Sequence, residues 1–342
     1  MSKKLLSICI PTYNRQKFLA QNIDSIVAQI TPELNELIEL CISDNASTDG
    51  TADYLAGLSQ RYPQLSFRYT INKTNLGADP NFLNAMNMGL GEFGWLYGDD
   101  DALCDGALET IIKKIQGNRD VGLFIFNRID CDFNLKPKAK RYWLHESVEE
   151  RLFDFSDEYQ ECTYYALGTD IGAVFSFIST TIYNRKAIET PFDASYIGTL
   201  YSYLFYMIGY LKTGAKLLYF KDNLILCRLG NSYISDLNFS NRMLVDYDFF
   251  IKFETDKFAK NSFSGSLFLQ LLKKTYPFPR LLSVYSSISK KEWTDLIVPK
   301  LKMCGWTNSE LEGVRRVGDT PNLYRSRFKY KLKSFISKFK KK

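Results

Sequence analysis

The stretch FGWLYGDDDAL, residues 93–103, joins an apolar strand to three consecutive carboxylates, Asp99, Asp100 and Asp101. No lysine or arginine lies within the ten residues upstream of them. Adjacent carboxylates repel one another unless a cation lies between them. Mg²⁺ and Mn²⁺ prefer such oxygen ligands and often share them with the phosphates of a substrate. The stretch therefore predicts a metal-dependent site for a phosphorylated substrate, with a solvated acidic turn before the next helix as the alternative.

Strands and helices alternate over the first 127 residues. Apolar runs predict strands at 5–10, 37–43, 65–71, 93–97 and 121–126, and helical spacing predicts helices at 16–30, from about 50, at 80–90 and at 105–116. Alternation at these lengths implies parallel strands joined by right-handed crossovers. We therefore predict an α/β fold with a doubly wound, mostly parallel sheet, whose ligands bind beyond the carboxyl ends of the strands.

Each of the first four predicted strands runs into a polar segment. The segments are PTYNR (11–15), SDNASTDGT (43–51), NKTNLG (72–77) and GDDD (98–101). Because the carboxyl ends of parallel strands meet at one edge of a sheet, four such segments predict a single functional site at that edge.

The positive charge is concentrated at the end of the chain. The net charge is +6, but residues 325–342 hold nine lysines or arginines and no acid, so the rest carries 35 basic and 38 acidic residues. This distribution argues against a generally basic nucleic-acid-binding protein. Apolar residues recur at helical spacing within the basic segment: Phe328, Leu332, Phe335, Ile336 and Phe339. The pattern predicts an amphipathic helix on an anionic membrane surface, with a solubilising terminus as the alternative.

The cysteine and histidine content limits which metal sites and general bases the protein can have. The seven cysteines show no metal-binding spacing, which favours a reducing, cytosolic compartment. The single histidine, His145, excludes a zinc site of several histidines and leaves carboxylates as the expected general bases. No signal peptide is predicted, and the most membrane-like stretch, residues 197–211, is too short to span a bilayer.

The regular alternation ends near residue 130. Residues 198–212 predict an aromatic helix, AKLLYFK (215–221) and NLILCRL (223–229) predict two strands, and residues 237–320 predict mostly helices. Neither an internal repeat nor a low-complexity linker separates the two halves. We therefore expect the second half to pack against the first.

The order of these motifs resembles the family 2 glycosyltransferases of GT-A fold. PTYNR follows the first strand, SDNASTDGT the second, NLG the third, and an aspartate-rich DXD the fourth, so the resemblance covers residues 5–127. GDDDAL and RLGNS (228–232) are similar to the bacterial branch that includes abequosyltransferases and other O-antigen and capsule sugar transferases. The resemblance implies a GT-A type sheet followed by a mixed, largely helical and aromatic-rich acceptor region.

The resemblance also implies roles for the matching residues. Pro11, Thr12 and Tyr13 would line the nucleotide pocket, and Asp44 would hydrogen-bond the base. Asp99 would lie by the ribose and the metal, with Asp100 next to it, and Asp101 would coordinate Mn²⁺ or Mg²⁺ on the diphosphate. Arg15, Lys73 and Asn75 complete the predicted nucleotide site. Asp44 and Asn75 could instead be cap or turn residues.

The general base is where the sequence departs from the family pattern. The usual base belongs to an acidic pair before a helix in the second half, but here YIGTLYS (196–202) precedes that helix and contains no acid. The candidates are Asp193 in PFDASY and Asp170 in GTDIG, and either could be a turn residue.

The implied activity is inverting, metal-dependent transfer of a sugar from a UDP-, dTDP- or CDP-sugar to a lipid-linked oligosaccharide acceptor in O-antigen or capsule synthesis. The protein would work in the cytoplasm, at the inner face of the bacterial cell membrane, and would bind no nucleic acid. The expected regions are 1–127 for the nucleotide sugar, 128–235 for the acceptor side, a helical region at 236–320 and the basic tail at 321–342.

Two other functions remain open at this stage. A sugar nucleotidyltransferase also uses an α/β sheet, carboxylates and a metal, but PTYNRQKF (11–18) lacks the glycines of its usual phosphate loop. A non-catalytic glycan- or nucleotide-binding module is the second alternative, because the acidic pair is missing.

Overall fold

Four strands from the first hundred residues form a parallel half of the sheet. They are β1 (Leu6–Thr12), β2 (Ile38–Asp44), β3 (Phe67–Ile71) and β4 (Phe93–Leu96), and they lie in the order β3-β2-β1-β4. The register of β1 on β2 runs from Leu6 opposite Ile38 to Thr12 opposite Asp44, so the two strands end together. The computed structural model describes residues 4–231 and 239–320.

The helices between these strands follow the predicted pattern. They are α1 (Gln16–Val27), α2 (Pro32–Leu37), α3 (Thr51–Arg61), α4 (Ala78–Met88) and α5 (Ala107–Gly117). The sequence analysis missed α2, although its start signal is present. Thr31 caps the helix by accepting a hydrogen bond from the Leu34 N–H, and Pro32 occupies the first turn.

The second half of the chain completes the same sheet. Its strands are β5 (Ala102–Leu103), β6 (Leu123–Cys131), β7 (Pro137–Arg141), β8 (Glu150–Asp154), β9 (Thr181–Asn184) and β10 (Lys216–Arg228). β9 lies between β4 and β6 and is antiparallel to both, so β4 and β6 point in the same direction. The sheet therefore crosses the boundary expected at residue 127.

The prediction of two strands at 215–221 and 223–229 was wrong. The structure has one long strand, β10, which pairs in parallel with β6 along most of its length. The register shifts twice, between Tyr219 and Asn223 and again between Asn223 and Ile225. Lys221 and Asp222 interrupt the apolar pattern at this irregularity without ending the strand, as a β-bulge allows.

The C-terminal part is largely helical, as predicted. Its α-helices are α6 (Glu158–Leu167), α7 (Ser202–Leu211), α8 (Phe239–Lys257), α9 (Phe263–Thr275), α10 (Phe278–Tyr285), α11 (Lys290–Glu292), α12 (Val298–Met303) and α13 (Asn308–Gly318). One π-helical turn, Trp293–Ile297, joins α11 to α12. Within the described ranges, no helix has both the length and the apolarity needed to cross a bilayer. The predicted amphipathic tail, 325–342, lies outside the described residues.

Alternate residues of the central strands face two apolar cores. Ile8 and Ile10 of β1 contribute to the core that contains α1, α3 and α5, whereas Cys9 between them contributes to the other. The second core holds α4 and the aromatic helices of the C-terminal half, including Tyr164 and Phe250. The expectation that the two halves pack together is therefore confirmed.

We expect Gly94→Ala to destabilise the fold at the centre of the sheet. Gly94 lies opposite Tyr183 across the β4–β9 pair, and an added Cβ would overlap the buried Tyr183 ring. Overpacking of this kind costs about 1–3 kcal/mol. Gly57→Ala is the matched control, because a Cβ there in α3 meets nothing within 4 Å and should stabilise by roughly 0.5–1 kcal/mol. Urea unfolding should separate the two midpoints, and coinciding midpoints would contradict the packing described here.

Candidate functional site

A cavity of about 370 Å³ lies at the carboxyl ends of β1, β2 and β4. Its wall contains the end of β1 and the segment that follows it (Pro11, Thr12, Tyr13 and Arg15), Asn45 and Asn75 from the next two loops, and Gly98–Asp101 after β4. The other wall comes from the second half: Arg128, Ser176–Ile178, Leu200, Tyr201, Tyr203, Cys227–Gly230 and Arg242. The edge of the sheet predicted from the sequence is therefore where the cavity lies.

Asp99 and Asp100 are held by the last residue of β1 and by the segment that follows it. The Thr12 hydroxyl donates to Asp99 Oδ2 at 2.7 Å, and Arg15 Nη1 donates to Asp99 Oδ1 at 2.9 Å. The same nitrogen lies 3.3 Å from Asp100 Oδ2, which also accepts from Asn231 Nδ2 at 3.2 Å. The Arg15 guanidinium, which was predicted to belong to the nucleotide site, thus bridges two carboxylates in this structure.

Asp101 is held by the second half of the chain. The Ser179 hydroxyl donates to Asp101 Oδ2 at 2.5 Å, and the backbone N–H of Arg228 donates to Oδ1 at 3.2 Å. Arg228 Nε donates to the Asp100 carbonyl oxygen at 3.0 Å. The end of β10, which begins the RLGNS segment, therefore closes over the acidic run.

Burial makes these negative charges unfavourable. Burial raises the pKa of Asp99 above its ordinary value, although Arg15 and Thr12 oppose the shift. Burial, followed by the charges of Asp101 and Asp99, raises the pKa of Asp100 to about 8. Burial raises the pKa of Asp101 to about 6, against the hydrogen bond from Ser179. An additional positive charge would stabilise the ionised form of all three.

The acidic run suits a divalent cation that is shared with a substrate. Among the described residues, no three histidine, cysteine, aspartate or glutamate side chains are placed to hold a metal ion by themselves. Mg²⁺ in phosphate-binding sites usually takes one or two carboxylates and completes its shell with phosphates and water. Asp99 and Asp101 fit that role, since both border the cavity and both are costly to ionise alone.

The residues predicted to bind the nucleotide separate into three groups. Pro11, Thr12, Tyr13, Arg15, Asn75 and Asp99–Asp101 all border the cavity. Asp44 is buried next to the cavity-lining Asn45. Its Oδ1 accepts from the Ser47 N–H at 3.2 Å, while its Oδ2 has no partner in the part of the chain that the structure describes. Lys73 is exposed and does not border the cavity.

Neither predicted base candidate borders the cavity. Asp193 is exposed, and its carboxylate caps a 3₁₀ turn by accepting from the Ser195 N–H at 2.9 Å. Hydrogen bonds from Ser195 lower the pKa of Asp193. Asp170 is buried, accepts from the Gly172 N–H at 2.8 Å and pairs with Arg141. The structure shows both residues making local turns.

A carboxylate from another element fixes the loop that lacks the expected acid. Asp79, at the start of α4, accepts from the backbone N–H groups of Gly198 at 2.8 Å, Leu200 at 2.9 Å and Ser202 at 3.0 Å. Leu200 borders the cavity with φ +64°, in the left-handed region that non-glycine residues rarely adopt. Such backbone strain is concentrated at functional sites.

Some site residues were not identified from the sequence. Asn22 donates to the carbonyl oxygens of Gly98 at 2.8 Å and Asp101 at 2.9 Å, and so fixes the backbone of the acidic run. Its position between Leu19 and Ile23, on the buried face of α1, could have indicated from the sequence that Asn22 is buried near the site. Arg228 belongs to the RLGNS motif that the sequence analysis singled out. No local sequence pattern identified Ser179 as a site residue.

The sequence is similar to those of known glycosyltransferases. The sequence matches the model of Glycosyl transferase family 2 over residues 7–189. Abequosyltransferase RfbV of Salmonella typhimurium is 33% identical over 276 residues, 80% of this chain and 81% of that protein. A GalNAc(5)-diNAcBac-PP-undecaprenol beta-1,3-glucosyltransferase of Campylobacter jejuni is 34% identical over 110 residues, 32% of this chain and 34% of that protein.

Solved structures share the fold. S. aureus TarS 1-349 in complex with UDP has a TM-score of 0.59 at 15% identity, over 88% of this chain and 80% of that chain. Mannosyltransferase PcManGT from Pyrobaculum calidifontis, in complex with GDP-Man and Mn²⁺, has a TM-score of 0.51 at 14% identity, over 95% and 88%. These similarities confirm the predicted GT-A type fold.

The family model covers more than half of the chain, and the similarity to the Salmonella protein extends over about four fifths of both proteins. The chain therefore belongs to glycosyltransferase family 2 and is a glycosyltransferase.

Proposed function

We propose that this glycosyltransferase is inverting and metal-dependent, and that it transfers a sugar from a UDP-, dTDP- or CDP-sugar to a lipid-linked glycan in the synthesis of a bacterial surface polysaccharide such as O-antigen or capsule. One observation carries the proposal. The buried carboxylates Asp99 and Asp101 border the same cavity as Thr12, Tyr13 and Asn75, at the edge of a parallel sheet where nucleotides bind.

The proposed metal site consists of Asp99 and Asp101, with Mn²⁺ or Mg²⁺ as the ion. Breaking the bond between a sugar and a diphosphate leaves negative charge on the departing phosphate, which a cation held there would stabilise. Arg15, which already lies against Asp99 and Asp100, is proposed to contact the same phosphates. Asp100 is proposed to lie beside these phosphates.

The proposed nucleotide site lies on the other side of the acidic run. Pro11, Thr12 and Tyr13 would enclose the nucleoside, and Asn75 would close the pocket from the loop after β3. Asp44 is proposed to accept a hydrogen bond from the base, because its buried Oδ2 has no other partner among the described residues. Lys73 would contact the nucleotide only if its exposed loop turned inward.

Membership in glycosyltransferase family 2 is the support for proposing inversion. In inverting transfer, the acceptor oxygen attacks the anomeric carbon from the side opposite the diphosphate, and a base takes its proton. A retaining enzyme with a covalent intermediate needs a nucleophile on that opposite side. The configuration of the product, determined by NMR of the transferred sugar, tests inversion directly.

The proposed acceptor is linked to a lipid. The name of the Campylobacter relative includes an undecaprenol-linked acceptor, and the Salmonella relative is named as an abequosyltransferase. The basic, apolar-spaced segment 325–342 would bring the protein to the anionic inner face of the membrane. These observations favour a peripheral protein that meets its acceptor at the bilayer surface.

We expect Asp101→Asn to lower turnover by about 10²-fold or more at saturating donor, because charge stabilisation of the leaving group is lost. Asparagine keeps the size of the side chain and can still accept from Ser179. Asp105→Ala, which removes an exposed carboxylate four residues away, is the control and should retain turnover. Release of the nucleoside diphosphate should also stop in a chelator and return with Mn²⁺. Turnover that persists in the chelator would contradict metal dependence.

We expect Asp44→Asn to weaken binding of the nucleoside diphosphate by roughly 1.5–3 kcal/mol, the scale of a hydrogen bond to a charged group. The variant replaces the acceptor Oδ2 with a donor while keeping the bulk of the side chain. Calorimetry with UDP, dTDP and CDP measures the change. Unchanged affinity for all three would remove Asp44 from the nucleotide site.

We expect Asp100→Asn to stabilise the protein in a chelator at pH 8.5. The folded-state pKa of Asp100, about 8, lies above its ordinary value, so ionisation of Asp100 opposes folding. Metal-free wild-type protein should therefore gain stability as the pH falls from about 9 to about 6, and the variant should show less of this gain. A rise in Tm of about 2 °C or more is expected at pH 8.5. A lower Tm would show that the contacts of Asp100 with Arg15 and Asn231 outweigh its burial.

A further inference from the structure

Arg242 of α8 differs from the other arginines of the cavity wall. Arg15 is paired with Asp99 and Asp100, Arg128 pairs with Asp130 at 2.8 Å, and Arg228 donates to Gln21 at 2.6 Å. Arg242 borders the cavity with 22% of its side chain exposed. Its Nη1 is buried and has no acceptor in the described part of the chain.

A buried network holds the Arg242 guanidinium in place. Its Nε lies 2.9 Å from Asp246 Oδ1, and its Nη2 donates to the Tyr201 hydroxyl oxygen. The Tyr201 hydroxyl in turn donates to Asp246 Oδ1 at 2.7 Å, and the Tyr276 hydroxyl donates to Oδ2 of the same carboxylate. Asp246 is only 2% exposed. The guanidinium is therefore oriented by residues from three parts of the chain before any ligand arrives.

The charge and surroundings of Arg242 indicate what it would bind. Because Asp246 already pairs with Arg242, its carboxylate would repel a phosphate at this position. It would not repel a neutral hydroxyl. The adjacent wall is aromatic, with Phe82 and Tyr203 in edge-to-face contact at 5.8 Å. Aromatic faces with a few fixed donors suit a ligand that has both C–H surfaces and hydroxyls.

We propose that Arg242 is a sugar-binding residue that donates a hydrogen bond to a pyranose hydroxyl, and that Asp246 is the positioning residue that orients it. This inference rests on the proposed function, because it needs a nucleotide sugar in the cavity. The pyranose belongs either to the donor or to the acceptor, and the chemistry is the same for both.

The test compares sugar-containing and sugar-free ligands. Calorimetry measures UDP-glucose, dTDP-rhamnose and CDP-glucose, each against its parent diphosphate, in wild-type protein and in Arg242→Gln. If Arg242 binds the sugar of the donor, Arg242→Gln should lower the affinity for the nucleotide sugar about 10-fold and leave the affinity for the diphosphate unchanged. If Arg242 binds the sugar of the acceptor instead, Arg242→Gln should weaken the binding of simple glycosides to the diphosphate-loaded protein by a similar factor. The glycosides measured are methyl α-glucoside, methyl α-galactoside and methyl α-rhamnoside.

Other outcomes overturn the proposal. Equal loss for nucleotide sugar and diphosphate would make Arg242 a phosphate contact. Unchanged binding of every sugar ligand would remove Arg242 from the site. Wild-type protein that binds none of the nucleotides would defeat the proposed function itself, and that result is distinct from both.

Three further variants complete the test. Arg242→Gln leaves the buried Asp246 carboxylate unpaired and can lower stability, so the double variant Asp246→Asn/Arg242→Gln is measured beside it. If Asp246 acts through Arg242, Asp246→Asn should weaken sugar binding in the wild-type background and add nothing in the Arg242→Gln background. Additive losses would overturn the positioning role. Lys252→Gln, on the same helix but outside the cavity wall, is the control.

Discussion

The burial of three adjacent carboxylates at the end of β4 is the constraint on which this structure depends. Each needs donors, and the donors come from distant parts of the chain: Thr12 at the end of β1, Arg15 after it, Ser179 before β9, and Arg228 at the end of β10. A buried charge is tolerated only when it is paired and hydrogen-bonded. Folding of the second half is therefore coupled to satisfying the acidic run, and the site and the fold stabilise one another.

Sequence patterns predicted which segments of the first half meet at the cavity. Parallel strands end at a common edge, so polar segments after successive strands must meet there, whatever their side chains contact. That geometry placed Thr12, Tyr13, Asn75 and Asp99–Asp101 around one cavity, with Asp44 next to it. The resemblance to the family then assigned a role to each residue. Lys73 followed the same pattern but is exposed and does not border the cavity.

The wall that the second half contributes could not be predicted in the same way. Its residues reach the cavity through contacts between segments far apart in sequence, such as Ser179 with Asp101 and Tyr201 with Asp246. β9 has four residues, too few for a periodic signal, yet it separates β4 from β6. Asp193 and Asp170 stood near the expected position of the base, but both carboxylates cap the turns in which they lie. Both aspartates therefore have the turn-capping contacts that were the alternative to a catalytic role.

The antiparallel insertion of β9 has a consequence for synthesis on the ribosome. β4 and β6 are both complete by residue 131, but each pairs with β9, whose residues 181–184 emerge about fifty positions later. Until then the nascent chain carries unpaired strand edges at the middle of its sheet, the kind of surface that recruits other chains. A truncated chain that stops before β9 would retain that edge permanently. Chimeric enzymes that exchange the two halves near residue 127 would break the same pairing, so a productive crossover point must keep β4, β6 and β9 together.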